Sequence, residues 1–499
     1  MSNFVFIIFQ NPKQTLEGIF DINSTDTICA VSTAPGKGGI AVIRVSGPKS
    51  IEVVKRIWDG KPLAAASPRT AHFGRILDGN ELLDEAVVTL FRAPASYTGE
   101  DIVEISVHGS PYVQRRLLQL LTADQSLCRL ALPGEFTRRT FRAGKLDLSQ
   151  SEAVADIIAA TTRGAHRLAV NQLKGGLSRR INHLRDSLIE LASLLELELD
   201  FSEEDVEFAS RPKLNRLAEE IDSLLRRLEN SYSTGQAIVK GLPVVIAGAP
   251  NAGKSTLLNQ LLDDERAIVS DIPGTTRDII EDTAEIGHIL FRFIDTAGLR
   301  NVTHDSIERE GINRAVSRIE RADILLYLFD ATSPIGEPSQ LEAWQSVVKN
   351  VGEHSLTLVP IVNKTDLVDS QTVNLWREKI QELIGVLPDN IAVSDTMVNS
   401  SVRTTDLEHL EMRLVEIARQ SMEALDTGDA VLTNARHLSA IRSARTALDA
   451  TLAGLSDGLS PDLVAHHLRS AINALGEITG TIATPDLLST IFSRFCIGK

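Results

Sequence analysis

A glycine-rich turn between a strand pattern and a helix start limits the fold more than any other part of the chain. Leu242-Pro243-Val244-Val245-Ile246-Ala247 is the continuous apolar run of a buried strand. It leads straight into Gly248-Ala249-Pro250-Asn251-Ala252-Gly253-Lys254-Ser255, and Thr256 to Leu262 begins a helix. Strand, glycine-rich loop and helix in this order make a phosphate cradle. The glycines let backbone N–H groups curl around a β-phosphate, and the helix N-terminus adds a favourable dipole. Lys254 brings a point charge to β- and γ-phosphates, and the Ser255 hydroxyl suits Mg²⁺. From residue 242 to about 415 apolar strands alternate with amphipathic helices, which predicts an α/β domain with a mostly parallel sheet.

Three further elements follow in the order a guanine-nucleotide site requires. The strand Ile289 to Ile294 ends in Asp295-Thr296-Ala297-Gly298, where the acid reaches the Mg²⁺ shell and Gly298 offers its N–H to a γ-phosphate. The strand Thr357 to Val362 ends in Asn363-Lys364-Thr365-Asp366. A carboxylate there accepts both the ring N–H and the exocyclic amine of guanine, a pair adenine lacks, so the expected nucleotide is GTP. Between the first two elements lies Ser270-Asp271-Ile272-Pro273-Gly274-Thr275-Thr276-Arg277-Asp278, read as a switch loop in which Thr276 ligates Mg²⁺ while the γ-phosphate is present.

Hydrolysis has to depart from the Ras-like scheme, in which a Gln after Asp-x-x-Gly orients the attacking water. Leu299 holds that position here and can neither donate nor accept a hydrogen bond. Glu308, within Ile307-Glu308-Arg309-Glu310-Gly311, is the candidate replacement. Spacing alone serves equally well a Glu that opens a helix. No arginine finger can be named. Asn251, with carbonyls of the switch loop, is suited to hold a monovalent cation against the phosphates in its place.

The rest of the chain sets the architecture. At 499 residues it is too long for one core. The fold class expected is multidomain α/β plus α. Residues 1–25 are an extension of no assigned role, and 26–145 form a β-rich domain with strands at Ile40 to Val45 and Ile102 to Val107. A helical domain comes in two sequence-distant parts, 146–240 and 416–499, and the nucleotide domain at 241–415 is inserted between them. The apolar stripe Leu173, Leu177, Ile181, Leu184, Leu188, Leu191 and Leu195 marks the first helical part. No run approaches the roughly 18 apolar residues of a membrane span. Phe4 to Phe9 is short and lacks a basic flank, which argues against a signal peptide, and the first 25 residues hold no Arg, which argues against a transit peptide. Three distant cysteines, Cys29, Cys128 and Cys496, offer neither a disulfide framework nor a CxxC signature and suit a reducing cytoplasm.

A formal charge of −15 means that bulk charge does not draw nucleic acid to this chain. One segment runs the other way. Between Arg163 and Arg185 there are six Arg or Lys residues and no acid, and from Asp186 to Glu207 nine acids and no Arg or Lys. On one continuous helix Arg163, Arg167, Lys174 and Arg185 would fall within about 40° of each other. They read as a phosphate-contacting stripe or as a solvated face, with Gly175-Gly176 a point where the helix can break.

With these residues in place, the sequence resembles the tRNA-modifying GTPase family MnmE, also called TrmE, from Asp26-Thr27-Ile28 to the last residue. GAPNAGKS and DIPGTTRD alone would admit related ribosome-assembly GTPases, so the alternative is a regulatory switch of that kind. Pro35 to Ile40 (PGKGGI), Tyr97-Thr98-Gly99-Glu100-Asp101, Pro133-Gly134-Glu135-Phe136-Thr137 and the terminal Phe495-Cys496-Ile497-Gly498-Lys499 point to MnmE itself. The resemblance implies a cytoplasmic homodimer joined through a folate-binding N-terminal domain, and an inserted Ras-like P-loop GTPase domain. It implies work with a flavin-dependent partner, MnmG, in a heterotetramer, and the −15 charge points to MnmG as the source of much of the tRNA contact. The expected product is a carboxymethylaminomethyl or aminomethyl group at C5 of the wobble uridine, its methylene drawn from 5-formyl- or methylene-tetrahydrofolate. By the same resemblance, folate contacts fall on Arg44, Glu104, Lys145 and Lys499, and K⁺ ligands on Asn251, Ser270, Ile272 and Thr275. Mg²⁺ ligands fall on Ser255 and Thr276, and the water-orienting acid on Glu308. The fifth guanine element falls at Ser401-Val402-Arg403, with the segment Asp395 to Asn399 as the alternative. Cys496 matches the family's near-terminal cysteine, as a reactive thiol or a buried structural one.

Overall fold

The computed structural model describes residues 26–200, 211–262, 282–294, 322–349, 356–385, 387, 391–400, 404–422, 430–457, 461–493 and 495–498. The chain divides into two compact units. One takes Met1–Ile158, Gln172–Ala218 and Thr446–Lys499, the other Ala159–Asn171 and Glu219–Arg445.

The first unit is built on a mixed sheet. Its strands are β1 (Thr27–Val31), β2 (Gly38–Ser46), β3 (Trp58–Gly60), β4 (Ala71–Asp78), β5 (Glu81–Phe91), β6 (Ile102–Gly109) and β7 (Cys128–Leu130), in the spatial order β3-β4-β5-β6-β2-β1-β7. Successive side chains of a strand point to opposite faces. Here one set fills a core: Ala41, Ile43 and Val45 of β2, Val88 and Leu90 of β5, Val103, Ile105 and Val107 of β6. Val53, Val54, Leu117 and Leu121 cover it from the helices Ser50–Lys55 and Pro111–Leu121. Each of the Val, Ile and Leu side chains contributes about 1.5–3 kcal/mol on burial. The same alternation turns Arg44 and Glu104 to the other face, where the β2–β6 register sets them directly opposite each other.

Helices complete this unit. The expected apolar stripe is buried at Leu177, Ile181, Leu184, Leu188 and Leu191 of the helix Gly176–Asp200, which packs against Pro461–Thr479. The cations between Arg163 and Arg185 do not share one helix face. Gly175 takes φ +78° and separates Arg163–Leu173 from Gly176–Asp200, so the angular register is reset between them. Leu148, Ile491, Phe492 and Phe495 make a smaller core with Phe141.

The second unit has the strands β8 (Leu242–Gly248), β9 (Asp282–Ile286), β10 (Ile289–Phe293), β11 (Ile324–Asp330), β12 (Leu356–Asn363), β13 (Ile391–Val393) and β14 (Met397–Val398). Their order is β13-β12-β11-β8-β10-β9, with β14 also alongside β12. Every pairing is parallel except that of β9 with β10. Strands covered on both faces are apolar throughout, and β11 is buried at every position. Val244, Leu326, Leu328 and Ile361 pack with Leu257, Leu258 and Leu261 of the helix Lys254–Leu261 and with Leu410 and Leu414 of Thr404–Met422. Val245, Leu325, Tyr327 and Phe329 pack on the opposite face with Trp344 of Pro338–Lys349 and Trp376 of Ser370–Ile384. The carboxyl ends of β8, β11 and β12 thus lie side by side and finish in Gly248, Asp330 and Asn363. Ligands of such sheets bind at this edge.

Candidate functional site

The turn after β8 is shaped by backbone conformations that few residues accept. Gly248 (φ +147°) could not carry a side chain, since a Cβ there would lie 2.5 Å from the Leu328 carbonyl oxygen. Asn251 (φ +61°) takes the left-handed conformation that Asn tolerates better than most residues. Ala252 N–H closes the turn on the Ala249 carbonyl at 3.3 Å, and Leu257 N–H on Gly253 opens the helix. Lys254 reaches back over the loop and donates to the Gly248 and Ala249 carbonyls at 2.9 and 2.7 Å. Burial holds its ammonium pKa below the ordinary lysine value. A partly desolvated ammonium folded over a cradle of backbone amides is suited to an anionic phosphate. Ser255 is half-buried in the first turn of that helix, and Thr256 beside it is exposed.

The base-reading element sits at the end of β12. Asn363 is buried and its amide Nδ2 donates to the Ala252 carbonyl of the phosphate loop at 2.7 Å. Lys364 (φ +63°) sends Nζ to Asp330 Oδ2 at 2.6 Å. Burial alone would raise the Asp330 carboxyl pKa. Hydrogen bonds from Lys364 and Thr332 outweigh it and hold the carboxyl below the ordinary carboxylate value. Asp366 lies in the 3-10 turn Thr365–Leu367, and its Oδ1 is buried with no hydrogen-bond partner among the described residues. A buried acceptor with nothing to accept costs about 1–3 kcal/mol. A ligand offering two N–H donors on one edge, as guanine does, relieves that cost, so the residues present fit the base.

Several expected residues lie outside the described ones: Ser270, Asp271, Ile272, Pro273, Gly274, Thr275 and Thr276 of the switch loop, Asp295, Thr296, Ala297 and Gly298, Leu299, Glu308, Ser401, Val402, Arg403 and Lys499. Asn251, Ala252, Gly253, Lys254, Ser255, Asn363, Lys364 and Asp366 are brought to one edge. Asp330 also belongs to this edge and was not picked out from sequence, and Asn399, the last residue of the segment offered as the alternative fifth guanine element, belongs to it too. For Asp330 the available signal was an acid closing a fully apolar strand pattern.

In the first unit Arg44 Nε and Nη2 both donate to Glu104 Oε1, at 2.9 and 2.8 Å. The Arg44 guanidinium stands 5.4 Å from the Tyr97 ring centre and 5.6 Å from that of Phe136, within cation–π range. Lys145 donates to the Pro94 carbonyl at 3.1 Å and to that of Ser96, next to Tyr97. Arg44 thus pairs with Glu104 beside Tyr97, and Lys145 is anchored to the residue that precedes Tyr97 in the chain. The chain end docks on the same unit. Ser32 Oγ donates to the Gly498 carbonyl at 3.2 Å, and a Cβ on Gly498 (φ +101°) would lie 2.1 Å from the Val31 carbonyl oxygen. Cys496 is exposed, which excludes the buried structural reading of that thiol.

A buried ion cluster stands beneath these residues. Glu135 is fully buried. Its Oε1 accepts from Arg129 and Arg139 at 2.7 and 3.0 Å, and its Oε2 from Arg129 and the Leu132 N–H at 2.8 and 2.9 Å. Arg139 continues to Glu100 at 3.0 Å and to Asp26 at 2.9 Å, and Glu100 accepts from Ser46 at 2.7 Å. The YTGED and PGEFT segments thus supply a scaffold: Glu100 and Glu135 form the cluster, while Tyr97 and Phe136 flank Arg44.

Taken together, a phosphate cradle and a guanine-type acceptor on a helix-flanked parallel sheet, joined in one chain to a mixed-sheet domain and long helices, define a multidomain P-loop GTPase. A family model described as "MnmE helical domain" matches residues 148–496, and one described as "GTP-binding protein TrmE N-terminus" matches residues 27–145. The tRNA modification GTPase MnmE of Bacteroides fragilis is 45% identical over 95% of this chain and 99% of its own length. The protein of that name from Porphyromonas gingivalis is 47% identical over 95% and 98%. Among solved structures, a GTP-binding protein from Sulfolobus solfataricus in complex with GDP is 19% identical over 62% of this chain and 86% of its own, with a TM-score of 0.26. The chain belongs to the MnmE family of tRNA modification GTPases.

Proposed function

We propose that this chain is a potassium-dependent GTPase which, with MnmG, modifies C5 of the wobble uridine of certain tRNAs using a tetrahydrofolate one-carbon unit. The unpartnered, buried Oδ1 of Asp366, three residues after the Asn363 that bonds the phosphate loop, carries the GTP half of this reading. Lys254 would neutralise the β- and γ-phosphates. Ser255 and Thr276 would hold Mg²⁺, which supplies charge stabilisation at the transferred phosphoryl group. Asn251, Ser270, Ile272 and Thr275 would hold K⁺ in place of an arginine finger. Glu308 would orient the attacking water, and Ser401 to Arg403 would back the base.

The folate half rests on the Arg44–Glu104 pair. A guanidinium within cation–π reach of two aromatic rings and paired with a carboxylate offers the donors and acceptors a pterin edge needs. Lys145 and Lys499 would meet the glutamate tail, and the exposed Cys496 lies near that chain end. In this reading residues 26–145 bind folate and dimerise in the cytoplasm, 241–415 hydrolyse GTP, and 146–240 with 416–499 connect them.

Nucleoside digestion of tRNA from a strain lacking this chain tests the whole. Loss of the C5-modified wobble uridine is expected, and unchanged wobble uridines would overturn the modification role in favour of a ribosome-assembly switch. For the cation, hydrolysis should be faster in K⁺ than in Na⁺, and equal rates would remove it. Glu308→Ala should keep GTP binding and lose most turnover, and a near wild-type rate would make Glu308 a helix-opening residue only.

A further inference from the structure

We infer that Asn399 is a positioning residue for guanine recognition, which fixes the base-reading turn against the phosphate loop. The inference rests on the GTP reading above.

The polarity of the hydrogen bonds sets the direction of the chain. The Ala252 carbonyl can only accept, so Asn363 must present its Nδ2 there, at 2.7 Å. That turns Asn363 Oδ1 the other way, where it needs a donor. Asn399 Nδ2 supplies it at 2.8 Å. The backbone of Asn399 is used as well. Its N–H donates to the Val362 carbonyl at 2.9 Å, and its carbonyl accepts from the N–H and the Oγ1 of Thr365 at 3.3 and 3.2 Å. One residue therefore holds the strand before Asn363, the Asn363 side chain, and the residue immediately before Asp366.

This placement follows from the sheet. Strand β14 lies parallel to β12, with Met397 opposite Ile361 and Val398 opposite Val362, and so delivers Asn399 beside Asn363. Asn399 and Ser400 are buried, at 2% and 0% exposure. There is no slack from the loop side either, since a Cβ on Gly253 would lie 2.2 Å from Asn363 Nδ2. The path Ala252–Asn363–Asn399–Thr365 thus sets where Asp366 stands relative to the phosphates. No bond among the described residues restrains Asp366 Oδ1 directly. Asn399 Oδ1 is likewise buried and unpartnered among them, so its side chain acts as a donor to Asn363 alone, while its backbone carbonyl holds Thr365 of the turn.

The test compares GDP with IDP, which lacks the exocyclic amine that a correctly placed Asp366 reads. Titrations of the full chain are expected to show Asn399→Ala weakening GDP about tenfold while IDP changes less, so that the GDP-over-IDP preference falls several-fold. Asn399→Asp, which replaces the donor with an acceptor, should do the same or more. Thr365→Val removes only the hydroxyl bond to Asn399 and should lower the preference by about threefold, and it decides the matter if the Asn399 variants do not fold. A merely structural role would lower the melting temperature or the fraction of active protein and leave the preference unmoved. A wild-type GDP-over-IDP preference in the folded variants overturns the assignment. Failure of the unaltered protein to bind GDP would instead remove the GTP reading beneath it.

Discussion

Glu135→Gln is the most informative single change in the first unit, because it alters charge without altering shape. Each Glu135 oxygen accepts two hydrogen bonds, from Arg129 and Arg139 on one side and from Arg129 and Leu132 on the other. Whichever oxygen becomes the amide nitrogen, two donors then face a donor. Two hydrogen bonds are lost, at least one of them charge-assisted and worth about 1.5–3 kcal/mol, and a fully buried anion no longer offsets Arg139. The expected loss is about 3–4 kcal/mol, within the range for breaking a buried ion pair from one side. The lower end applies because Arg129 keeps Asp26 and is partly exposed. With a urea slope of about 1–3 kcal/mol per M, the midpoint should fall by roughly 1–4 M. Hydrogen exchange by segment locates the effect: protection should drop over β1, β2 and the helix Glu135–Arg142 and persist over β8 and β11. The pH dependence has a definite sign. Burial alone would raise the Glu135 carboxyl pKa, but the bonds from Arg129 and from Leu132 N–H hold it below the ordinary value. Its contribution is therefore complete above the unfolded-state pKa of about 4.3 and is lost as pH falls through the lower folded value. The variant should show a flatter stability profile below about pH 4.5 than the parent. A midpoint shift under about 0.5 M, or protection lost equally over β8, would refute the view of Glu135 as the keystone of this cluster.

Other changes test the second unit. Asp366→Asn should weaken GTP at least about a hundredfold, the equivalent of two or more charge-assisted hydrogen bonds, and should admit xanthine nucleotides, which carry a carbonyl where guanine has its amine. A loss under tenfold by titration would count against Asp366 as the base reader. Gly253→Ala must pay for φ +95° and for a Cβ 2.2 Å from Asn363 Nδ2; a loss of roughly 2–3 kcal/mol in thermal unfolding, with GDP binding impaired, is expected. Tyr327→Phe should be neutral or stabilise by about 1 kcal/mol, because the Tyr327 hydroxyl is buried with no partner among the described residues. A clear destabilisation would mean that the hydroxyl is bonded in solution.

What could be read from sequence was what is local. The strand–loop–helix run at Leu242 to Leu262, the strands around Val42 and Ile105, and the stripe from Leu177 to Leu191 all announce themselves by spacing within a few residues. The Arg163-to-Arg185 stripe shows the limit of that method. Periodicity presumes one unbroken helix, and a single left-handed glycine at position 175 cancels it. The contacts that sequence did not foresee join residues far apart along the chain. Asn363 meets Ala252 across 111 positions and Asn399 across 36, and Arg139 meets Asp26 across 113. No repeat or propensity links such pairs, so only closure of the sheets brings them together. Position within the sheet, however, would have narrowed the search. In a parallel α/β sheet polar residues at the carboxyl ends of adjacent central strands face the ligand edge, and Asp330, Asn363 and Asn399 are the polar residues that end β11, end β12 and follow β14. A buried polar side chain at such an edge has either a ligand or a neighbour to satisfy. Asp366 is left without a neighbour on one oxygen, and Asn399 spends its amide on the residue that holds the loop, which is the physical ground for assigning recognition to the first and alignment to the second.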